Sequence, residues 1–312
     1  MTMYKKLVIV TRKTRLQELV ERFNTRSQAK FYIEHAGGDF ADYEREDDAY
    51  RFALETLRQS LELDSDLELP QQLVDRSLVS TFHFQKEDLV VTLGQDGLVA
   101  NTAKYVGPQP IVAVNPEPDR FDGILLPFLP NQARAAVERV MEGRAKIRDI
   151  TLAQVRLGDG QRLLAFNDFF LGARSHISAQ YQITCGKQSE MQSSSGVLVS
   201  TGAGSTGWVS SAFNMAAGVS RFCGGPTVTP VRMPWEDRRL LFVVREPFVS
   251  RHSQAGIVAG ILKPGEELTI ESRMPSYGVI FSDGMEADFL QFNSGAIAHV
   301  RAAEQSARLV VS

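Results

Sequence analysis

The sequence predicts an α/β domain built on a parallel sheet, followed by a β-rich domain. Three observations lead there. From Lys5 to Asn115, short apolar strand-like runs alternate with stretches of helical spacing, which is the pattern of βαβ units. After Ile147 the runs shorten, take on β composition and are separated by glycine turns. The length, 312 residues, suffices for two cores of medium size. The division is placed at residues 1–146 and 147–312. Neither part contains an internal repeat, a heptad run or a low-complexity tract.

In chain order, Lys5-Lys-Leu-Val-Ile-Val10 reads as the first strand, and Thr14 to Phe23 follows with apolar positions at helical spacing. Phe31-Tyr-Ile33 reads as a second strand. Residues 39 to 68 are acidic. Within them, Arg45 to Leu61 reads as an amphipathic helix with Tyr50, Phe52, Ala53 and Leu57 inward and its charges on a solvated face. Asp88-Leu-Val-Val-Thr-Leu93 has a buried-strand pattern, and Leu98 to Tyr105 is compatible with a helix. Asn131 to Arg144, rich in alanine and arginine, reads as a connecting helix. In the second part, Leu152 to Arg156, Leu163 to Phe166, His176 to Thr184 and Leu240 to Val244 read as strands, with Gly158-Asp-Gly160 as a hairpin turn.

Composition narrows the functional classes. Hydrophobic content of 43% and charged content of 23% are ordinary for a globular protein. A net charge of −3 gives no electrostatic case for a nucleic-acid partner. No apolar run reaches the length of a membrane helix and no signal-peptide pattern opens the chain, so a soluble, cytoplasmic protein is expected. The two cysteines, Cys185 and Cys223, make neither a disulfide framework nor a metal cluster. Both are expected to be small buried hydrophobes. The five histidines lie far apart, without the close pair that a zinc site needs. The G-x-S-x-G elbow of hydrolases is absent.

Two loops carry the chemistry. Val199-Ser-Thr-Gly-Ala-Gly-Ser-Thr-Gly-Trp208 packs glycines and small hydroxyl residues behind an apolar run. Glycines at Gly202 and Gly204 leave no side chain between peptide N–H groups and an anion. Thr201, Ser205 and Thr206 add short donors for phosphate or ribose oxygens. A helix is expected over Val209 to Ala217, so the loop would end at a helix N-terminus that favours negative charge. The spacing Gly202, Gly204, Gly207 also matches the dinucleotide fingerprint G-x-G-x-x-G. That reading requires an acidic residue about 20 positions on, and the region after the helix, Arg221 to Pro230, has no carboxylate. In the second loop, Gly94-Gln-Asp-Gly97 joins a strand to a helix, which presents Asp96 at the carboxyl edge of a sheet.

Taken together, Gly94-Gln-Asp-Gly97, Asn167-Asp168 and Ser200-Thr-Gly-Ala-Gly-Ser-Thr206 resemble the three signatures of the NAD kinase family. Ile111-Val-Ala-Val-Asn115 is similar to the strand and asparagine that follow the first motif, and Ser282-Asp-Gly284 to the family's late Asp-Gly turn. Ser194-Ser-Gly196 and Phe292-Asn-Ser-Gly-Ala-Ile-Ala298 look most like the mitochondrial-type branch. The resemblance implies a kinase that moves a phosphoryl group from ATP, with Mg²⁺, to the adenosine 2′-hydroxyl of NAD. Asp96 would be its catalytic residue. Gly94, Gln95 and Gly97 would hold donor phosphates, while Asn167, Asp168, Ser195, Thr201, Gly202, Gly204, Ser205 and Thr206 would hold the dinucleotide. It implies small-molecule partners, no nucleic acid, no membrane, and a homo-oligomer of dimer or tetramer type. Arg245-Glu-Pro247 and Arg251-His252 fall where the family's chain approaches ligand.

Three departures stand out. Gln95 replaces a glycine and Leu98 a threonine of the first motif, and Asp168 is one methylene shorter than the usual glutamate. These motivate the alternative of a non-catalytic nucleotide-binding protein; a kinase on a sugar or lipid hydroxyl is a further alternative, against which the dinucleotide loop argues. An oxidoreductase would need an acid or base for hydride transfer, and no candidate histidine presents itself.

Overall fold

A computed structural model describes residues 4–62 and 69–312; the end of the acidic stretch, residues 63–68, lies outside the described residues. The chain forms two compact units, Met1–Arg148 with Arg308–Ser312, and Asp149–Ala307.

In the first unit, strand β1 (Lys6–Thr11) is followed by helices α1 (Arg15–Phe23), α2 (Arg26–His35) and α3 (Phe40–Glu62), then β2 (Gln71–Asp75), β3 (Asp88–Leu93), α4 (Asp96–Ala103), β4 (Pro110–Val114) and α5 (Ala133–Met141). The strands are parallel in the order β2-β1-β3-β4. β1, β3 and β4 are buried on both faces: Leu7, Ile9, Leu89, Val91 and Val112 join Tyr50, Leu57, Ala136 and Val140 in one core, and Val8, Val10, Val90 and Ala113 are buried on the opposite face. That two-sided burial is why β3 and β4 read as continuous apolar runs. α1 begins on a capping box, in which Thr14 Oγ1 accepts from the Gln17 amide and Gln17 Oε1 accepts from the Thr14 amide.

Two expectations are corrected here. Phe31-Tyr-Ile33 is not a strand but lies in α2. The Thr25 hydroxyl caps that helix, and Ala29 and Ile33, four apart, supply its buried stripe, leaving Phe31 61% exposed. In α3, Tyr50, Ala53, Leu57 and Leu61 point inward as the spacing requires, whereas Phe52 is 76% exposed on the outer face.

The second unit is an antiparallel two-sheet assembly. Its elements are β5 (Lys146–Leu157), β6 (Arg162–Ala165), β7 (Asp168–Ala173), β8 (Ala179–Cys185), β9 (Gln188–Ser194), β10 (Val197–Ser200), α6 (Trp208–Phe222), β11 (Leu240–Val244), β12 (Ala259–Leu262), β13 (Leu268–Ser272), β14 (Gly278–Ser282), β15 (Phe289–Gln291) and β16 (Ile297–Val311). One sheet runs β12-β11-β10-β7-β14-β15; β13 pairs with β8 and β16 in the other. Phe169, Leu171, Val197, Val199, Phe242 and Ile280 of the first meet Tyr181, Ile183, Ile270 and Val300 of the second in a common core. Gly158-Asp-Gly160 does close a hairpin, with Arg156 paired to Arg162 and the Leu157 amide donating to the Gln161 carbonyl. The last strand returns to the first unit, where Arg308 and Leu309 pair in parallel with Pro110 and Ile111.

Both cysteines are free thiols. Cys185 is half-buried, and burial pushes its thiol pKa up. Cys223 is exposed just after α6, so the expectation that it is a buried hydrophobe is corrected. Among the described residues, no helix is long and apolar enough to cross a membrane.

Candidate functional site

Asp96 is the first residue of α4, at the turn where β3 ends. Its Oδ1 accepts the Leu125 amide at 2.8 Å, which fixes the carboxylate by the loop that follows β4. That loop is itself organised by Asn115, buried at the end of β4. Its Oδ1 accepts the Glu117 amide at 3.0 Å, and its Nδ2 donates to the Phe121 carbonyl at 3.1 Å.

The glycines of this turn have different duties. The Gly94 amide is spent on the Val114 carbonyl at 3.2 Å, and a Cβ there would lie 2.7 Å from Leu98 Cδ2. Gly97 is exposed, and a Cβ there would meet nothing within 4 Å. Gln95 caps α4 through backbone conformation only, with no side-chain bond. Leu98 is buried beneath the turn. A side chain at position 98 therefore packs against Gly94 in the core.

In the second unit, Asn167, Asp168 and the glycine loop form one hydrogen-bonded constellation. The Thr201 amide donates to the Asn167 carbonyl at 2.9 Å, and Thr201 Oγ1 donates to the Phe166 carbonyl at 2.6 Å and accepts the Gly204 amide at 3.2 Å. Ser205 Oγ donates to the Gly202 carbonyl at 2.7 Å and accepts the Met233 amide at 3.2 Å. The hydroxyls expected to meet ligand thus divide: Thr201 and Ser205 are buried and hold the loop together, whereas Thr206 is exposed. Ser195 is half-buried, and its amide donates to the Arg245 carbonyl at 2.9 Å.

Close approach, not a left-handed backbone, demands glycine here. Neither Gly202 nor Gly204 has positive φ. A Cβ on Gly202 would lie 1.8 Å from the Pro234 carbonyl oxygen, and one on Gly204 2.1 Å from that of Asn167. The strand after the loop and its helix, β11, runs antiparallel to β10, with Val197 opposite Val244. A βαβ dinucleotide turn requires parallel strands, so the G-x-G-x-x-G match is incidental.

Asp283 supports the Asn167-Asp168 corner. Its carboxylate accepts three successive amides, Phe166 at 3.0 Å, Asn167 at 2.6 Å and Asp168 at 3.3 Å. The residue takes φ +54°, a left-handed conformation that aspartate tolerates better than most side chains. These bonds use the Asn167 backbone and leave its side-chain amide, on a half-buried residue, uninvolved. Asp168 is buried. Burial, with the Asp283 charge adding to it, pushes its carboxyl up to about 7. Near neutral pH it is therefore part protonated, able either to donate to or accept from a hydroxyl.

An aromatic platform adjoins this corner, and the sequence reading did not single it out. Trp208, 36% exposed, stacks on Phe170 with centroids 5.7 Å apart and on Phe281 at 6.3 Å. The Arg245 guanidinium lies 5.4 Å from the Trp208 ring centroid. These residues line a cavity of about 170 Å³ with Arg174, Glu286 and Phe289. The available signal was a tryptophan immediately after the glycine loop.

No family model matches the chain. An NAD kinase of Cytophaga hutchinsonii is 29% identical over 150 residues, a match covering 46% of this chain and 47% of the relative. The similarity thus spans about half of that protein's length. Among solved structures, yeast NADH kinase complexed with NADH aligns with TM-score 0.56 and 20% identity, over 99% of this chain and 84% of that one. An NAD kinase from Archaeoglobus fulgidus in complex with ATP aligns with TM-score 0.54 and 16% identity, over 97% and 93%. The chain has the fold of these structures, an α/β domain with a parallel sheet followed by an antiparallel β-rich domain.

Proposed function

We propose that this chain is a phosphotransferase that moves the γ-phosphoryl group of ATP to the adenosine 2′-hydroxyl of NAD or NADH. The observation that carries the reading is the Asn167-Asp168 corner. Its backbone is fixed by Asp283 on one side and by the glycine loop on the other, which holds the half-buried Asn167 side chain and the buried Asp168 carboxyl close in the chain to Phe170 of the aromatic stack. A ribose diol bound by Asn167 and Asp168, with a planar base on Trp208, uses each of these groups. The family likeness and the Asp96 turn supply the donor side of the reaction.

Phosphoryl transfer has a loose transition state, so positioning and charge stabilisation supply most of the acceleration. Asp96 accepts or orients the 2′-hydroxyl proton, and the amides of the Asp96-Gly97 turn hold donor phosphates at the start of α4. Among the described residues, no group of three or more His, Cys, Asp or Glu is placed to hold a metal ion. Mg²⁺ would be carried by the triphosphate, since this ion keeps several waters and takes only one or two carboxylates besides phosphate. When bound, it neutralises phosphate charge. Ser194-Ser-Gly196 and Phe292-Asn-Ser-Gly-Ala-Ile-Ala298 favour the mitochondrial-type branch within the family.

Incubation with labelled ATP and a panel of acceptors (NAD, NADH, sugars, lipid head groups) tests the reading. Label is expected on the dinucleotides alone. Binding of NAD without transfer would support instead the non-catalytic alternative that Gln95, Leu98 and Asp168 suggest.

A further inference from the structure

The carboxyl end of the parallel sheet in the first unit holds a charged group that this reading does not use. Val10 pairs with Thr92 in parallel register, which brings Arg12 level with Gly94; Leu93 pairs with Val114, which brings Asn115 level on the other side. One phenol ties the row together. The Tyr50 hydroxyl accepts the Arg12 amide at 3.0 Å and donates to the Leu93 carbonyl at 3.0 Å.

The Arg12 side chain is nine-tenths buried, at 10% exposure. Its Nη1 is anchored, donating to Glu46 Oε1 at 3.2 Å and to the Lys13 carbonyl at 3.1 Å, and its Cζ lies 5.0 Å from the Tyr50 ring centroid. The other edge of the guanidinium is empty: Nε and Nη2 are buried without a hydrogen-bond partner. Those two nitrogens form the fork that takes two oxygens of one phosphate or carboxylate. A buried charged donor left unpaired is costly, so it calls for an explanation.

Neighbouring carboxylates do not fill the fork. Glu46 is already engaged by Arg15 Nε and has Arg120 Nη2 at 3.8 Å. Glu117, two residues beyond Asn115, has its own Oε2 buried without a partner, and its Oε1 lies 3.9 Å from Arg120. Burial foremost pushes the Glu117 carboxyl above the usual range; Glu46 adds to this, while Arg120 and Arg12 oppose it.

We propose that Arg12 is a phosphate-positioning residue whose Nε and Nη2 take two oxygens of the nucleoside triphosphate held at the Gly94–Gly97 turn. It rests on the phosphotransferase reading above. Glu117 feels the Arg12 charge, and its Oε2 has no hydrogen bond to lose if a phosphate takes the fork. A purely structural arginine that only neutralises Glu46 has no use for that empty edge, and a lysine serves it equally well.

Calorimetry of the full chain with Mg-ATP, and separately with NAD, distinguishes these cases. Arg12→Lys keeps the charge beside Glu46 and loses the fork. It is expected to weaken ATP binding by about tenfold or more, the worth of a charge-assisted bond, while NAD affinity changes by less than about twofold. Glu117→Gln keeps Arg12 and removes a negative charge beside the phosphate, and is expected to tighten ATP binding by about two- to fivefold. If the parent binds ATP and Arg12→Lys binds it equally well, the proposal is overturned. Unchanged or weaker ATP binding by Glu117→Gln overturns it too, whatever the stability of the Arg12 variant. A parent that binds no ATP overturns the phosphotransferase reading along with it.

Discussion

Asp168 and Asp283 are bonded reciprocally: the Asp168 amide donates to Asp283 Oδ1 at 3.3 Å, and the Asp283 amide donates to the Asp168 carbonyl at 3.0 Å. A strand start and a turn 115 residues later are thereby locked together, and two carboxylates are brought close. Asp283→Ala removes the acceptor of three amides and places a non-glycine, non-aspartate residue at positive φ. It is expected to cost about 3 kcal/mol or more, measured by denaturant unfolding. A cost below about 1 kcal/mol would show that the amides find other partners.

The same pair sets a pH dependence. Asp168 titrates at about 7 when folded, against an ordinary value of 3.8, because burial and Asp283 disfavour its charged form. The raised value stabilises the fold fully below about pH 4, and this contribution fades as pH rises through 7. At roughly 1.4 kcal/mol per unit, the loss is on the order of 4 kcal/mol. Asp168→Asn removes the titration, so its stability is expected to vary less than the parent's between pH 4 and 8. Parallel pH profiles for both proteins would exclude the assignment.

Asp96→Asn separates chemistry from binding. The variant retains Oδ1, which accepts the Leu125 amide, so the turn is preserved. NAD affinity is expected to stay within about threefold while turnover falls by roughly 10²–10⁴, the usual worth of a general base. Single-turnover kinetics beside a binding isotherm check this. Retention of most of the rate removes Asp96 from the mechanism.

Gly204→Val tests the loop. Its Cβ would lie 2.1 Å from the Asn167 carbonyl oxygen, so either the loop or the Asn167-Asp168 corner must shift. Loss of measurable NAD binding is expected, together with a lowered melting temperature. A folded variant that binds NAD like the parent places the dinucleotide elsewhere.

Gln95 distinguishes obstruction from assistance. It makes no capping bond, so its amide is uncommitted to the helix end. The account expects that amide to donate to phosphate, so Gln95→Ala and Gln95→Gly both raise the KM for ATP. The change corresponds to about 0.5–3 kcal/mol. A lower KM or a faster turnover in both variants identifies Gln95 as an obstruction instead.

Much of this was legible in the sequence. Leu240–Val244 is a strand with the bounds that its composition gives, and the glycine turn around Asp96 joins strand to helix as its spacing implies. Phe31-Tyr-Ile33 failed because β composition was outweighed by the Thr25 cap and the Ala29/Ile33 stripe. Residue types in the glycine loop announced hydroxyls, but not that Thr201 and Ser205 turn theirs onto carbonyls. The Ser282-Asp-Gly284 turn was visible by resemblance. Its clamp on residues 166–168 was not, since those amides lie more than a hundred positions away. The empty fork of Arg12 likewise depends on which neighbours reach it.

The most direct test of the central claim is formation of NADP from NAD, ATP and Mg²⁺ by the purified chain, detected with an NADP-specific dehydrogenase. NADP, or NADPH from NADH, is expected to accumulate with time and in proportion to the chain added. No product above background, under conditions where calorimetry shows both nucleotides bound, would contradict the account and leave a nucleotide-binding protein of this fold.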